Sequence, residues 1–243
     1  MITLFRKIRQ KLLVENRFTR YLLYAIGEII LVVFGILIAL QVNNWNNQNV
    51  RNQKEETLLK EMRGNLEADL VDCQWNINRQ RGARRSSNIV LEHLKSDAPF
   101  HDSLSLHYGS LMGSTALTTN TSAYDNLKSI GLDLIQNDSL RKSITGLYSE
   151  RYAYLVRLEN DGDNKFVMEL LIPQISEKLI VTKFFGSARP VDLENLRNDE
   201  AFKGVVRMNI VFRDFMIQLY QGIEMRIQDL IAQIDRELES RVN

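Results

Sequence analysis

Histidine and cysteine, which serve often as catalytic groups and as ligands of transition metals, are scarce in this chain, with three His and one Cys. His101, Asp102 and His107 lie close together, but no third imidazole or cysteine is near, and their spacing matches no zinc pattern. The surrounding stretch, 96–122, is dense in Ser, Thr and Gly and contains neither a G-x-S-x-G motif nor a phosphate-binding glycine loop. We therefore predict no catalytic residue, no cofactor and no metal ligand, and we expect that the protein is not an enzyme.

A second group of oxygen ligands stands in DGDN at 161–164. Carboxylate and amide oxygens suit Ca²⁺, but this segment lacks the Asp-x-Asp-x-Asp-Gly order and the distal bidentate Glu of a calcium loop. The pattern favours a polar turn over a calcium site.

Two other features carry chemistry that depends on their surroundings. Cys73 is the single cysteine, which excludes an internal disulfide framework. It lies on an apolar stripe and is predicted to be a small buried residue, the alternative being a disulfide to another chain.

Arg79, Arg81, Arg84 and Arg85 form a basic cluster, which indicates either a solvated helix face paired with acids or a contact with lipid headgroups or an acidic partner.

The stretch that must position everything else is 21–42, YLLYAIGEIILVVFGILIALQV, with Glu28 as its one charge. As a helix it would be about 33 Å long, enough to cross a hydrocarbon core of about 30 Å. The alternative is a core helix of a soluble domain, but such helices rarely exceed about 14 apolar residues. We predict one transmembrane helix in contact with membrane lipids.

Four residues of this stretch suggest that membrane helices associate with one another. Gly35 and Ala39 form a small-xxx-small pair, and Gly27 precedes Gly35 by about two turns. Glu28 is costly in hydrocarbon unless it faces protein, although snorkelling or protonation would make it inert. The candidate association residues are therefore Gly27, Glu28, Gly35 and Ala39.

The flanks of the stretch predict its orientation. Residues 1–20 carry six bases against Glu15, a net charge of +5, which places them in the cytoplasm. They form either an amphipathic helix on the leaflet or a simple topogenic signal. No small-residue cleavage site follows residue 42, and Trp45 stands at the depth of an interface aromatic. The span is thus predicted to stay uncleaved, with residues 43–243 outside.

The outer region is predicted to be helical. Its 25 bases and 28 acids give a net charge of −3, which argues against nucleic acid as a partner. An apolar stripe steps by 3 or 4 from Leu59 to Ile77 within a predicted helix at 45–95. A second stripe from Phe202 to Leu238 has a mean step of about 3.6 and is expected to pack against the first helix, with Asn209 as a polar core residue.

Shorter elements are expected between these two helices. We predict a helix from Thr121 or Ser122 to Ile130 that ends at Gly131, and another that Asp138 caps. KFFGSARP at 183–190 is predicted to be a turn or an exposed loop, and Asp192 to cap a short helix. The predicted fold class is all-α: a transmembrane helix at 21–42, then an extracytoplasmic helical bundle at 43–243 with long first and last helices.

Two segments resemble a known family. FRKIRQKLLVENRFTRYLLYAIGEIILVVFGILIALQVNNWN at 5–46 closely resembles the N-terminal signature of Gram-negative bacterial single-pass membrane proteins that are classified as a domain of unknown function. SAYDNLKSIGLDLIQNDSLRKSITGLY at 122–148 is similar to a recurring segment of that family, which leads us to expect a serine where Ile130 stands. The resemblance implies an inner-membrane protein with a helical periplasmic domain, and it implies no activity.

Three functions remain open on the sequence. The favoured hypothesis is a membrane-anchored, non-enzymatic scaffold, sensor or assembly subunit of an envelope complex, with a homo-oligomer or an envelope protein as partner. The alternative is an oligomeric channel or proton-coupled subunit that uses Glu28. An extracytoplasmic hydrolase is the third, and it needs a nucleophile and base that the sequence does not show.

Overall fold

The computed structural model describes residues 18–183 and 186–241, so most of the amphipathic segment predicted at 1–20 lies outside the described residues. The described chain is mostly helical, as predicted. Contacts divide the chain into two compact units, 1–55 and 56–243. The α-helices are α1 Phe18–Lys95, α2 Ser105–Gly109, α3 Ser122–Ile130, α4 Asp138–Thr145, α5 Ala153–Arg157, α6 Ile172–Lys178, α7 Leu193–Asn198 and α8 Glu200–Glu239. Short 3₁₀ turns occupy Asp102–Leu104, Ser110–Met112 and Leu132–Leu134, and π-helical segments occupy Gly146–Tyr152, Leu158–Asn164 and Phe166–Leu171.

Helix α1 confirms the helix predicted at 45–95 and begins earlier, at Phe18. Its last turn carries Lys95, a cation that the negative end of the helix dipole favours. The helix ends before Ala98, a residue that Pro99 biases away from helical dihedral angles.

Within the second unit, α8 lies antiparallel to the 63–87 part of α1. Arg63 Nε donates to Asp235 Oδ1 over 2.6 Å, and Gln74 Nε2 donates to Glu224 Oε1 over 3.0 Å. Nearer the end of α1, Asn209 Nδ2 donates to Ser87 Oγ over 3.1 Å. The apolar stripes of both helices are buried between them and the shorter helices, as their period predicts.

The buried apolar residues form two clusters. The first joins Leu59, Leu66 and Ile77 of α1 to the residues from Leu127 to Leu155 and to the C-terminal half of α8. The second joins the end of α1 to buried residues within 108–112 and 166–196 and to the start of α8. Burying one such Leu or Ile side chain stabilises a fold by about 1.5–3 kcal/mol, so these clusters supply the main favourable term.

Two of the four predicted helix ends follow the predicted local chemistry, whereas Thr121, predicted with Ser122 as a possible cap of α3, makes no side-chain cap hydrogen bond. Gly131 has φ 126° directly after α3, a conformation that its missing Cβ permits. Asp192 accepts from the Asn195 amide and caps α7. The predicted cap of α4 is wrong by one residue, because the Asn137 side chain accepts from the amides of Ser139 and Leu140.

The π-helical segments replace the turn that was predicted at 161–164. Residues 138–178 stay helical throughout, and from 155 onward a buried position recurs every fourth residue, with Phe166 buried in addition. Spacing of four would rotate a buried stripe steadily around an α-helix, whereas π turns hold one more residue per turn and keep the stripe on one side. These positions are Leu155, Glu159, Asp163, Val167, Leu171 and Ile175.

A β-hairpin is the one element type that the all-α prediction lacks. Strands β1 Leu179–Lys183 and β2 Ser187–Pro190 pair antiparallel, with Leu179 opposite Pro190, where a turn or an exposed loop was predicted. Helix α2 packs on β2 so closely that a Cβ on Gly109 would lie 2.7 Å from the carbonyl oxygen of Gly186. This packing supports a two-stranded ribbon that would be marginal alone.

Candidate functional site

The apolar stretch of α1 presents its side chains to the surroundings. One described helix is long and apolar enough to cross a membrane, and none of its most apolar window is buried. The exposed fractions of its large apolar side chains between Leu22 and Val42 range from 45% to 66%.

The four candidate association residues all lie on this helix, but not all on one face. At about 100° per residue, Glu28, Gly35 and Ala39 fall within about 40° of each other, whereas Gly27 lies about 100° from Glu28. A Cβ on Gly27 or Gly35 would meet nothing within 4 Å. On the face that carries Glu28, Gly35 and Ala39, no neighbouring atom would therefore clash with a Cβ at position 35.

The most elaborate polar site is inside the second unit, where the irregular segment 113–121 is bonded by side chains from the surrounding helices. Asp69 of α1 accepts from the Asn120 backbone N–H over 2.8 Å and from Asn120 Nδ2 over 2.6 Å. Its other oxygen accepts from the Tyr152 hydroxyl over 2.8 Å. Burial and the adjacent Asp69 carboxylate raise the pKa of Tyr152, so this phenol stays a donor.

Glu159 holds the middle of the segment. Its Oε1 accepts from the Leu117 backbone N–H over 2.8 Å and from the Tyr220 hydroxyl over 2.6 Å. Burial raises the pKa of Glu159, and the two hydrogen bonds only partly oppose this shift. Tyr220 also bonds Thr115, so one phenol links α8, the segment and the π-helical region.

An ion pair between Asp163 and Arg213 closes the start of the segment. Both side chains have no exposed surface, and Arg213 Nη1 donates to the Gly113 carbonyl oxygen over 2.7 Å. Gln80 Nε2 donates to Thr115 Oγ1 over 2.8 Å from the α1 side. The DGDN prediction of a polar turn is thus wrong, since Asp163 is a buried helical residue paired with an arginine.

Two of these buried carboxyl groups bind the backbone of 113–121. Asp69, Glu159 and Asp163 are at most 4% exposed, and two of them accept hydrogen bonds from main-chain amides of 113–121. A polar segment inside a fold needs such partners, because an unpaired buried amide is costly. Sequence reasoning missed this network. Its signal is the 3, 4, 4 spacing of Asp69, Asp72, Asn76 and Gln80 alongside the apolar stripe.

The remaining sequence candidates take separate places. Cys73 is buried, as predicted, with its Sγ 3.3 Å from the Tyr220 carbonyl oxygen, and burial raises the pKa of its thiol to about 12. His101 caps a 3₁₀ turn, and His107 Nδ1 lies 3.1 Å from Ser86 Oγ. Within residues 18–183 and 186–241, no group of three His, Cys, Asp or Glu side chains could hold a metal ion.

The four arginines of the basic cluster have different surroundings. Arg84 pairs with Asp214 of α8, and Arg79 lies over the Trp75 ring, 5.3 Å from its centroid. Arg81 and Arg85 are exposed. The cluster is therefore a helix face that is paired with acid at one position.

One groove borders α4 and the π-helical segment that follows it. Its volume is about 260 Å³, Leu147 and Leu230 form its floor, and Lys142, Arg151 and Arg226 stand with Glu150 and Asp229 on its rim. Because both basic and acidic side chains line this open groove, its charges favour no particular class of ligand. The groove therefore adds no site to the candidates above.

Fold and site together define a mostly helical protein with one helix that meets the length and composition of a membrane span. The model of a family described as "Family of unknown function (DUF6090)" matches residues 28–182. The match covers more than half of the chain, and the chain belongs to this family, which confirms the predicted resemblance to an uncharacterised family. No curated protein and no solved structure matches the chain.

Proposed function

We propose that the chain is a membrane-anchored, non-enzymatic helical protein of a bacterial envelope. In this proposal residues 21–42 span the inner membrane, residues 1–20 are cytoplasmic and residues 43–243 form a periplasmic domain. The domain acts as a scaffold, sensor or assembly subunit through contacts with membrane lipids and with a second copy or an envelope protein.

The observation that carries the proposal is the exposure of the apolar stretch. Fourteen large apolar side chains from Leu22 to Val42 are each at least 45% exposed. Apolar surface in water costs about 25 cal/mol per Å², and a hydrocarbon environment removes that cost. A helix also satisfies its own backbone hydrogen bonds, which a lipid environment requires.

The polar interior supports the non-enzymatic part. The carboxylates of the second unit that resemble catalytic groups are enclosed and bonded to the segment 113–121. A general acid or base must reach a substrate proton within hydrogen-bond distance. Their enclosure instead fits a role in holding the fold together.

Topology reporters test the proposal. A reporter that is active only outside the cytoplasm, fused after Asn243, should be active, and one that is active only inside should be silent. Val33→Lys with Ile36→Lys should move the chain to the soluble fraction, because each central lysine costs about 2.5–3.5 kcal/mol on insertion.

The matched control carries the same two changes at exposed valines of the second unit, Val156→Lys with Val191→Lys. This variant should stay in the membrane fraction. A chain that is soluble without any substitution, or a reporter active only in the cytoplasm, would contradict the proposal.

A further inference from the structure

The surface of the α1–α8 pair that faces away from the core is unusually apolar. On α1 it exposes Val71 and Trp75, and on α8 it exposes Phe215 and Met225, each at least 42% exposed. Helical wheels at about 100° per residue place Val71, Trp75 and Gly82 within about 40° of each other, and Phe215, Gly222 and Met225 within about 80°. On each helix these residues lie on the side away from the buried stripe. We call the surface made by Val71, Trp75, Gly82, Phe215, Gly222 and Met225 the outer face.

The two glycines have no local role. A Cβ on Gly82 or on Gly222 would meet nothing within 4 Å, and both lie inside helices. Glycine in a helix interior costs about 1 kcal/mol relative to alanine. Glycine at these positions is explained if a bulky side chain of a partner packs against the helix there, because the missing Cβ leaves room for it.

The register of the helix pair aligns each glycine with an aromatic residue. The contacts Arg63–Asp235, Gln74–Glu224 and Arg84–Asp214 join residues whose numbers add to 298, so such residues lie at equal height along the pair. Trp75 with Gly222, and Gly82 with Phe215, come within one residue of that sum. Each exposed aromatic residue therefore stands level with a glycine on the neighbouring helix.

A two-fold axis parallel to the helices turns this alignment into contact. Such an axis preserves height and sets α1 of one copy against α8 of the other, so residues that are level within a chain meet between chains. Trp75 then reaches Gly222 of the second copy, and Phe215 reaches Gly82 of the second copy. Each aromatic side chain then occupies the space beside a glycine of the second copy, and the two-fold axis repeats both contacts.

Charges on the same side fit this arrangement. Glu61 and Arg236 are exposed and come within one residue of equal height. Across the two-fold axis each faces its opposite charge.

We propose that the outer face is the interface with a second copy of this chain, packed in parallel about a two-fold axis along α1 and α8. Both copies then run in the same direction, as two chains anchored in one membrane must. Trp75 and Phe215 are the anchors, and Gly82 and Gly222 are the sites that receive them. The interface deepens the proposed function, on which it rests for the parallel direction of the two copies, and it is formed by residues of 56–243 alone.

Sedimentation of the full chain in detergent micelles tests this proposal. The wild-type chain should dimerise, and Gly222→Leu should raise the dissociation constant about tenfold or more by filling the site for Trp75. The same change improves helix propensity and should raise the melting temperature of the monomer, so loss of the dimer would not reflect loss of folding.

A charge swap supplies the rescue. Glu61→Arg and Arg236→Glu should each weaken the dimer, and the double variant should recover most of the affinity. Tyr154→Ala, an exposed aromatic change outside the outer face, is the matched control and should have no effect.

Three results would overturn the interface. One is a monomer at every protein-to-detergent ratio. Another is a dimer that Gly35→Leu abolishes while Gly222→Leu leaves it intact, because that dimer would depend on the apolar stretch alone. The third is binding of the outer face to anionic vesicles, unchanged in Gly222→Leu, which would assign the surface to lipid instead.

Discussion

Tyr220 donates a 2.6 Å hydrogen bond to Glu159, and this bond ties α8 to the π-helical segment across the irregular stretch 113–121. The same carboxyl accepts from the Leu117 amide, so the Glu159 side chain connects its own π-helical segment to both α8 and the segment 113–121. Burial disfavours the charged form of Glu159 and raises its pKa, so the stability that this carboxyl contributes depends on pH.

The pH dependence of stability should change in Glu159→Gln. Burial raises the pKa of Glu159 above its ordinary value of 4.5, so the folded state binds this proton more tightly than the unfolded state does. The stability from this group is therefore complete below pH 4.5 and is lost as the pH rises through the folded pKa. The wild-type chain should gain stability relative to Glu159→Gln as the pH falls from about 8 to about 5.

Urea unfolding of both chains in detergent across this range measures the difference. Other carboxyl groups titrate equally in both proteins and cancel. A difference that is constant with pH, or that grows toward the alkaline end in favour of the wild type, would contradict the assignment.

Removing one partner of the buried ion pair should be severe. Arg213→Met leaves the Asp163 carboxylate enclosed without its cation and should lower the free energy of unfolding by about 3–5 kcal/mol. Arg213→Met combined with Asp163→Leu should cost less than the two single changes together, because no charge stays buried.

The exposed pair of Arg84 and Asp214 is the control for that cycle. Both side chains are more than 40% exposed, so Arg84→Met should cost under about 1 kcal/mol. Equal losses in Arg84→Met and Arg213→Met would show that burial does not decide the effect.

The Cys73 thiol should be inert in the folded protein. Its pKa is raised to about 12 by burial, and the thiolate is the reactive form. A maleimide should label Cys73 only after unfolding, and non-reducing gels should show no disulfide-linked dimer. Ser129→Cys, which adds an exposed thiol on α3, should label at once. Rapid labelling of Cys73 in the native wild-type chain would refute its enclosure.

Association through the apolar stretch should depend on Glu28. Interhelical polar contacts in membranes contribute about 0.6 kcal/mol on average and up to about 1.7 kcal/mol. Glu28→Leu should therefore weaken crosslinking between copies without preventing insertion, and Glu28→Gln should retain much of it.

Gly35→Leu tests the same helix face by filling the space at its small residue. Crosslinking that is unchanged in both Glu28→Leu and Gly35→Leu would leave the stretch as a plain anchor. A channel function requires more, namely that Glu28→Gln abolishes a pH-dependent conductance in reconstituted bilayers.

The sequence by itself determined the elements with a strong period or strong local chemistry. The apolar stretch, the stripes from Leu59 and from Phe202, and the glycine that ends α3 each follow from side-chain spacing or backbone freedom within one segment. Such signals are local, so a single chain segment contains all the information that they need.

Only the tertiary structure decided the roles of the isolated polar residues. Asp163 in DGDN is typical of a turn, but Arg213, far along the chain on α8, neutralises it inside the fold. The segment 113–121 is bonded by Asp69 and Glu159 from different helices, and KFFGSARP pairs as a hairpin because α2 packs on β2. Burial sets the free energy of an unpaired charge or amide, and burial arises only when distant segments meet.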